Sequence, residues 1–113
     1  MIELIEGKRT QLIELCRKYR VYRLDLFGSA AKGRFDPDAS DLDFIARFEG
    51  TRDPDYAERF YYFAESLEAL FGRPVDVLTE NMIQNPFFRE DVEEARQPVL
   101  ELEHEQRRAQ AAI

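Results

Sequence analysis

The alternation of apolar with other residues from position 41 to 48 constrains the fold of this chain more than any other feature of its sequence. Successive side chains of an extended strand point to opposite faces of a sheet. Asp41 and Asp43 therefore share one face, while the other face carries only apolar side chains, those of Leu42, Phe44, Ala46 and Phe48. The pattern predicts a strand over 42–48 that is anchored by a core on one side and carries two carboxylates on the other.

Three further segments have the composition of strands. Residues 21–27 are rich in apolar and aromatic residues and are cut off by Gly28-Ser29, after which we expect a turn and the start of a helix. Residues 74–78 resemble a buried strand with one inward polar residue, Asp76, between two valines. Residues 98–102 predict a short edge strand, because proline is tolerated at the start of a strand.

The segments between these strands have apolar residues at helical spacing. The spacing predicts a helix over 2–20, whose apolar face is formed by Ile5, Leu12, Cys16 and Tyr19. A second helix is expected to open at Asp53-Pro54 and to end at Gly72, with its aromatic stripe in the core. A third begins after Thr79-Glu80-Asn81 and is broken by Asn85-Pro86, and residues 87–96 form the next. This order predicts an α/β (α+β) fold, a small mixed sheet of three to four strands with helices covering one face.

Length and composition place these elements in one domain. Domains commonly run to about 100–150 residues, so the 113 residues, 44% hydrophobic and 35% charged, predict a single domain over 1–113. The polar, Ala-rich segment 103–113 is expected to be a flexible or partner-binding tail. Cys16, the only cysteine, is expected to be buried rather than reactive. With no apolar leader or long apolar run in the sequence, we expect a cytoplasmic protein that does not enter the membrane.

The charge of the chain is unevenly distributed. Its net charge of −7 argues against direct nucleic-acid binding, because phosphate backbones are held mainly by clustered Lys and Arg. Residues 8–34 nevertheless contain eight basic and two acidic residues, a net +6, so the remainder carries −13. Two interpretations of this basic segment stay open, a solvated helix face or a patch that faces a triphosphate or a partner.

Two neighbouring stretches have complementary chemistry. After a strand, Gly28 lets the backbone approach a ligand closely, Ser29 offers a hydroxyl, and the start of a helix presents free N–H groups to an anion. Asp41 and Asp43 on one face of a strand repel each other unless a cation lies between them, and Mg²⁺ prefers such carboxylate oxygens. Asp76 on an adjacent strand could bind a second metal ion and orient or deprotonate an attacking hydroxyl.

Other acidic and titratable residues are less consistent with a site. The segment that starts with Asp36 and Asp38 resembles the first positions of an EF-hand calcium-binding loop. It lacks the required glycine and the final glutamate, so both residues are interpreted as solvated turn residues. Asp25 is interpreted as structural or exposed. His104 lies in a charged tail and is interpreted as a surface residue. The aromatic residues are assigned to the core, although one of them could contact an adenine ring.

The Gly28-Ser29 turn, the Asp41-Leu42-Asp43 motif and the later Asp76 together resemble the nucleotidyltransferase superfamily related to polymerase β. In length and layout the chain is most similar to minimal nucleotidyltransferases (MNT), the antitoxins that act beside HEPN-domain toxins. The resemblance implies that Gly28 and Ser29, in the turn that continues to Lys32 and Gly33, hold the triphosphate of ATP. It implies that Asp41, Asp43 and Asp76 hold two Mg²⁺ ions, and that Lys32 stands where arginine is frequent.

The resemblance also implies a reaction and a partner. The reaction is transfer of AMP from ATP to a hydroxyl, in the antitoxin branch that of a tyrosine of the cognate HEPN-type toxin, within a hetero-oligomer. One alternative is an antitoxin that neutralises its partner by binding alone. Another is an enzyme that transfers a nucleotide to a small molecule such as an antibiotic.

Overall fold

The computed structural model describes residues 3–31 and 41–103. Within them, four strands form one mixed sheet in the order β3-β2-β1-β4. These are β1 (Val21–Phe27), β2 (Leu42–Phe48), β3 (Val75–Leu78) and β4 (Gln97–Glu101). Strand β1 pairs antiparallel with β2 and β4, whereas β2 and β3 run parallel. The predicted α/β class and the small mixed sheet are therefore confirmed.

The N-terminal segment forms two helices, α1 (Glu3–Glu6) and α2 (Arg9–Lys18), where one continuous helix was predicted over 2–20. The chain turns between them, with the Gly7 N–H donating to the Glu3 carbonyl at 2.8 Å and the Lys8 N–H to the Ile5 carbonyl at 3.1 Å. Glycine weakens a helix interior because it loses the most backbone freedom on folding. The predicted apolar face survives the break, since Ile5, Leu12 and Cys16 are all fully buried.

After β1 comes a four-residue helix, α3 (Gly28–Ala31), and β2 and β3 are joined by the longest helix, α4 (Tyr56–Phe71). Helix α4 begins after a turn in which the Tyr56 N–H donates to the Asp53 carbonyl, so it starts later than the predicted Asp53-Pro54. It ends where predicted, at Gly72, whose left-handed φ of 66° lets its N–H close on the Glu68 carbonyl at 2.8 Å. None of the helices in the described residues is long and apolar enough to cross a membrane.

The main core lies between one face of the sheet and helices α1, α2 and α4. It contains the predicted apolar side chains of β2, together with Leu12, Phe63 and Leu67 from the helices. Cys16 is in this core, and burial raises the pKa of its thiol to about 12. The prediction that Cys16 is buried is thus confirmed.

A smaller cluster covers the opposite face of the sheet, so the expectation that helices cover one face only was wrong. It joins Phe27 and Ile45 of the sheet to Ile83 and to Val92 of helix α5 (Pro86–Ala95). The segment before α5 forms a short 3₁₀ turn over Glu80–Met82 instead of the expected helix. Helix α5 itself begins at Pro86, because the Asn85 side chain accepts hydrogen bonds from the N–H groups of the first turn.

Ion pairs hold α5 and the 3₁₀ turn on this second face. Asp25 is 1% exposed and accepts hydrogen bonds from Arg23 at 3.2 Å and from Arg96 at 3.0 Å. Arg96 also donates a hydrogen bond to the Glu80 carboxylate, which accepts further hydrogen bonds from Arg47 and Arg89. Burial alone would raise the pKa of Glu80, but hydrogen bonds from these three arginines lower it to about 2. Of the two interpretations of Asp25, structural or exposed, the structure supports the structural one.

Several arginines of the basic segment, residues 8–34, form ion pairs within the chain. Arg9 binds Glu6 at 2.8 Å, Arg20 binds Asp53 at 2.9 Å, and Arg23 binds Glu101 at 3.0 Å. These contacts favour the solvated-face interpretation for Arg9, Arg20 and Arg23, because neighbouring acidic residues compensate their charges.

Candidate functional site

Two of the predicted site carboxylates lie side by side on neighbouring strands. The parallel pairing of β2 and β3 aligns Asp43 directly with Asp76. Each residue is flanked by apolar neighbours that enter the main core, so both carboxylates point to the opposite face of the sheet. Asp43 is half-buried and Asp76 is exposed, which places the pair at an accessible end of the sheet.

The electrostatics of Asp43 reflect this crowding. Burial raises its pKa to about 6, with further contributions from the charge of Asp76, a hydrogen bond to Asp76 and the charge of Asp41. Asp41 is exposed and immediately precedes β2. The three predicted carboxylates therefore interact, although no group of three acidic, His or Cys side chains among residues 3–31 and 41–103 is arranged to hold a metal ion. The donor set nonetheless suits a divalent cation, because divalent cations prefer carboxylate oxygens and would relieve the repulsion among these neighbouring carboxylates.

Gly28 lies against the same carboxylate. It opens α3 directly after β1, and its neighbour Phe27 pairs with Asp43 across the sheet. Its φ is +73°, and a Cβ at this position would lie 2.3 Å from Oδ2 of Asp43. Only glycine satisfies both the left-handed backbone and this close approach. The strand-to-helix turn is thus packed against the acidic pair, as a cradle for phosphate beside a metal site requires.

The remaining predicted residues are described in part or not at all. Ser29 lies in α3, but its side chain is outside the described atoms. Lys32 and Gly33 fall outside the described residues, as do Asp36, Asp38 and His104. Their roles stay predictions.

Gln97, at the start of β4, is a site-adjacent residue that sequence reasoning did not find. Its side-chain Nε2 donates to the carbonyl of Ala31 at 3.0 Å, which ties the end of α3 to the sheet edge. The two residues are 66 positions apart, and no local pattern marks the contact. Gln97 thereby holds the turn that starts at Gly28.

Two phenylalanines next to the site also depart from the sequence interpretation. Phe44, Phe48 and Phe63 are core residues as predicted, but Phe87 is 78% and Phe88 is 39% exposed. The Phe88 ring packs edge-on against Phe27 with centroids 6.1 Å apart. An aromatic surface therefore adjoins the strand end that carries Asp43 and Gly28.

A cleft of about 460 Å³ lies elsewhere, at the other end of β2. Its lining includes Arg47, Tyr56, Thr79 and Asn81. It contains none of the predicted site residues, and its charged groups Arg47 and Glu80 bind each other at 2.9 Å. The cleft is therefore separate from the carboxylate end of the sheet.

Comparison with known proteins agrees with this geometry. The family model described as nucleotidyltransferase domain matches residues 8–99. Two proteins of Methanocaldococcus jannaschii, both named "Putative protein adenylyltransferase", are similar in sequence. One is 35% identical over 77 residues, covering 68% of this chain and 75% of the relative. The other is 34% identical over 80 residues, covering 71% and 78%.

Solved structures share the fold. A structure described as a putative minimal nucleotidyltransferase superposes with a TM-score of 0.67 at 29% identity, covering 86% of this chain and 96% of that one. A chain from a Shewanella oneidensis complex, described as a tri-AMPylated HEPN toxin with an MNT antitoxin, superposes with a TM-score of 0.56 at 16% identity, covering 94% and 77%. At that identity the second likeness concerns the fold alone.

Proposed function

Because this chain belongs to the nucleotidyltransferase domain family, we propose that it transfers AMP from ATP to a hydroxyl group of a partner protein. The proposed acceptor is a tyrosine of a HEPN-type toxin, so that the chain acts as its antitoxin. The observation that carries the proposal is the alignment of Asp43 with Asp76 beside Gly28. Relatives named as protein adenylyltransferases and a fold shared with an AMPylated toxin complex support the choice of acceptor.

The carboxylates are proposed to hold divalent metal. Asp41, Asp43 and Asp76 would bind two Mg²⁺ ions. The raised pKa of Asp43 supports this, because burial and the neighbouring charges of Asp76 and Asp41 disfavour its ionised form and a bound cation would stabilise that form. Mg²⁺ held by these residues would supply charge stabilisation for phosphoryl transfer and would favour deprotonation of the attacking hydroxyl. Gly28 and Ser29 would receive the triphosphate on backbone N–H groups and a hydroxyl, with Lys32 and Gly33 continuing the same turn.

The reaction is an in-line displacement at the α-phosphorus. The acceptor oxygen forms a bond to phosphorus, the bond to the bridging oxygen breaks, and pyrophosphate leaves. Asp76, which is exposed at the sheet end, would orient the incoming hydroxyl and accept its proton. Asp43 lies between Gly28 and Asp76, and therefore links the phosphate turn to the position of the nucleophile.

Neutralisation of a partner by binding alone is the second candidate function. The exposed aromatic side chains of Phe87 and Phe88 beside the site favour it, because exposed apolar surface commonly marks a protein interface. In that case the partner would be inactivated by being covered, and nucleotide transfer would be incidental.

The test uses α-labelled ATP, Mg²⁺ and a purified HEPN-domain protein, the class of partner that is proposed. The variant D41N/D43N is expected to lose label transfer to background, while circular dichroism shows an unchanged fold. The matched control, E58Q/E65Q, removes two exposed carboxylates of α4 and should transfer label like the wild type. Undiminished transfer by D41N/D43N contradicts the site. Full neutralisation of the partner by that variant, with no transfer, would instead support inhibition by binding.

A further inference from the structure

Exposed apolar side chains are concentrated in one short segment. Five large hydrophobic residues are exposed among those described, and three of them fall within residues 82–88. Met82 is 52%, Phe87 is 78% and Phe88 is 39% exposed. We call these three residues the aromatic edge. Large apolar side chains that stay in water are costly, and they commonly mark a binding surface.

The aromatic edge is held in place by its own hydrogen bonds. Oδ1 of Asn85 accepts from the Phe87 N–H at 2.9 Å and from the Phe88 N–H at 3.2 Å. The Arg89 guanidinium donates to the carbonyls of Glu80 at 2.8 Å and Ile83 at 3.0 Å. The exposure of Phe87 therefore belongs to a capped, anchored helix start. A surface ordered before binding loses little conformational entropy when a partner arrives.

This edge adjoins the reaction site. Phe88 packs on Phe27, which is paired with Asp43 and precedes Gly28. An acceptor that brings a hydroxyl to Asp43 and Asp76 from this side would therefore meet the aromatic edge.

The charge around the edge indicates the chemistry of its occupant. Glu90, Asp91 and Glu94 are exposed on the same helix, α5, and the only basic residue of that helix, Arg89, is bound to Glu80 at 2.9 Å. An acidic rim repels a polyanionic nucleotide and favours a basic protein surface. The nucleobase of ATP is therefore a poorer occupant than a protein with an apolar centre and a basic border.

We propose that the aromatic edge is the docking surface for the acceptor protein, through a partner face with an apolar centre and a basic rim. The proposal rests on the proposed protein acceptor and adds where that acceptor binds. Phe87 is the main anchor, because its side chain has the largest exposed fraction of the three and therefore the most apolar surface to bury.

The test compares Phe87→Ser with Tyr61→Ser, which removes an aromatic side chain that is 59% exposed on α4. The probe is the same HEPN-domain protein, with α-labelled ATP. Phe87→Ser should raise the KM for the protein about tenfold or more, which corresponds to about 1.4 kcal/mol or more and is typical of an aromatic anchor at an interface, while the KM for ATP stays unchanged. Tyr61→Ser should leave both KM values unchanged. An unchanged KM for the protein in Phe87→Ser, or a raised KM for ATP alone, would overturn the docking surface.

Calorimetric binding in the absence of ATP separates this inference from the proposed function. If the wild type binds the protein without transferring AMP, the proposed function fails, and weaker binding by Phe87→Ser still supports the docking surface. If transfer occurs and Phe87→Ser binds like the wild type, only the docking surface fails. If the wild type neither binds nor modifies the protein, both proposals are wrong. The charge reversal E90K/E94K should weaken binding of the protein at low salt and change it little at high salt. If the variant binds as tightly as the wild type at both salt concentrations, the proposed basic face of the partner is wrong.

Discussion

A Cβ on Gly28 would lie 2.3 Å from the Oδ2 atom of Asp43, far inside any normal contact distance. The turn that is proposed to hold phosphate and the carboxylate that is proposed to hold metal are therefore positioned by each other. This contact makes a substitution of Gly28 an experiment on the geometry of Asp43.

Gly28→Ala should abolish most AMP transfer, because the new methyl group displaces the Asp43 carboxylate. The left-handed φ adds about 1–2 kcal/mol of strain. Gly72→Ala is the matched control, since Gly72 has a similar φ of 66° and no atom within 4 Å of the added Cβ. Urea unfolding should show comparable loss of stability in both variants, with activity lost only in Gly28→Ala. Equal activity in the two variants would contradict the role of the contact.

Removal of metal should make the stability of the protein depend on Asp43. Its pKa is raised in the folded state from 3.8 to about 6, so its favourable contribution is present below pH 3.8 and is lost as pH rises through 6. In EDTA at pH 7.5, Asp43→Asn should be more stable than the wild type by about 1 kcal/mol after allowance for solvent screening. The difference should vanish near pH 4. Mg²⁺ should stabilise the wild type and not the variant, as measured by urea unfolding.

Substitution of Glu80 should lower the free energy of unfolding at neutral pH, and the loss should become smaller as the pH falls. Its pKa is lowered from 4.5 to about 2, so its contribution is present above pH 4.5 and is lost as pH falls toward 2. Glu80→Gln should reduce the free energy of unfolding by about 1–2 kcal/mol at pH 7. This is less than the cost of breaking a fully buried ion pair, because Glu80 is partly exposed to solvent. Glu58→Gln, at an exposed position of α4, should cost little. A Glu80→Gln variant that matches the wild type at pH 7 would refute the network.

The link from Gln97 to α3 should affect nucleotide binding. Gln97→Met keeps the size of the side chain and removes the donor to the Ala31 carbonyl. We expect about a fivefold higher Kd for Mg-ATP by calorimetry, since one hydrogen bond contributes about 1 kcal/mol. Gln11→Met on the exposed face of α2 is the control. Both variants should unfold at similar urea concentrations, and an unchanged Kd in Gln97→Met would show that α3 does not depend on this bond.

The strand over 42–48 and the end of α4 at Gly72 could be predicted because they follow from local chemistry. Period-two alternation assigns the two faces of β2 wherever the strand lies, and a glycine with left-handed φ can end a helix without reference to its neighbours. The single helix predicted over 2–20 was wrong because the turn at Gly7 competes with a periodic pattern that continues on both sides of it. The placement of α5 on the second face escaped prediction for a different reason. The contacts that hold it there, Phe88 with Phe27 and Arg96 with Asp25, join residues that are distant in the chain.

By itself the sequence determined which residues could do the chemistry, because residue type and strand alternation decide that Asp41 and Asp43 share a polar face. Only the tertiary structure decided that Asp76 aligns with Asp43, that Gly28 lies against the same carboxylate, and that Phe88 packs on Phe27 next to them. Strand register and close packing depend on the free energy of contacts between remote segments. No local pattern of residues contains that information.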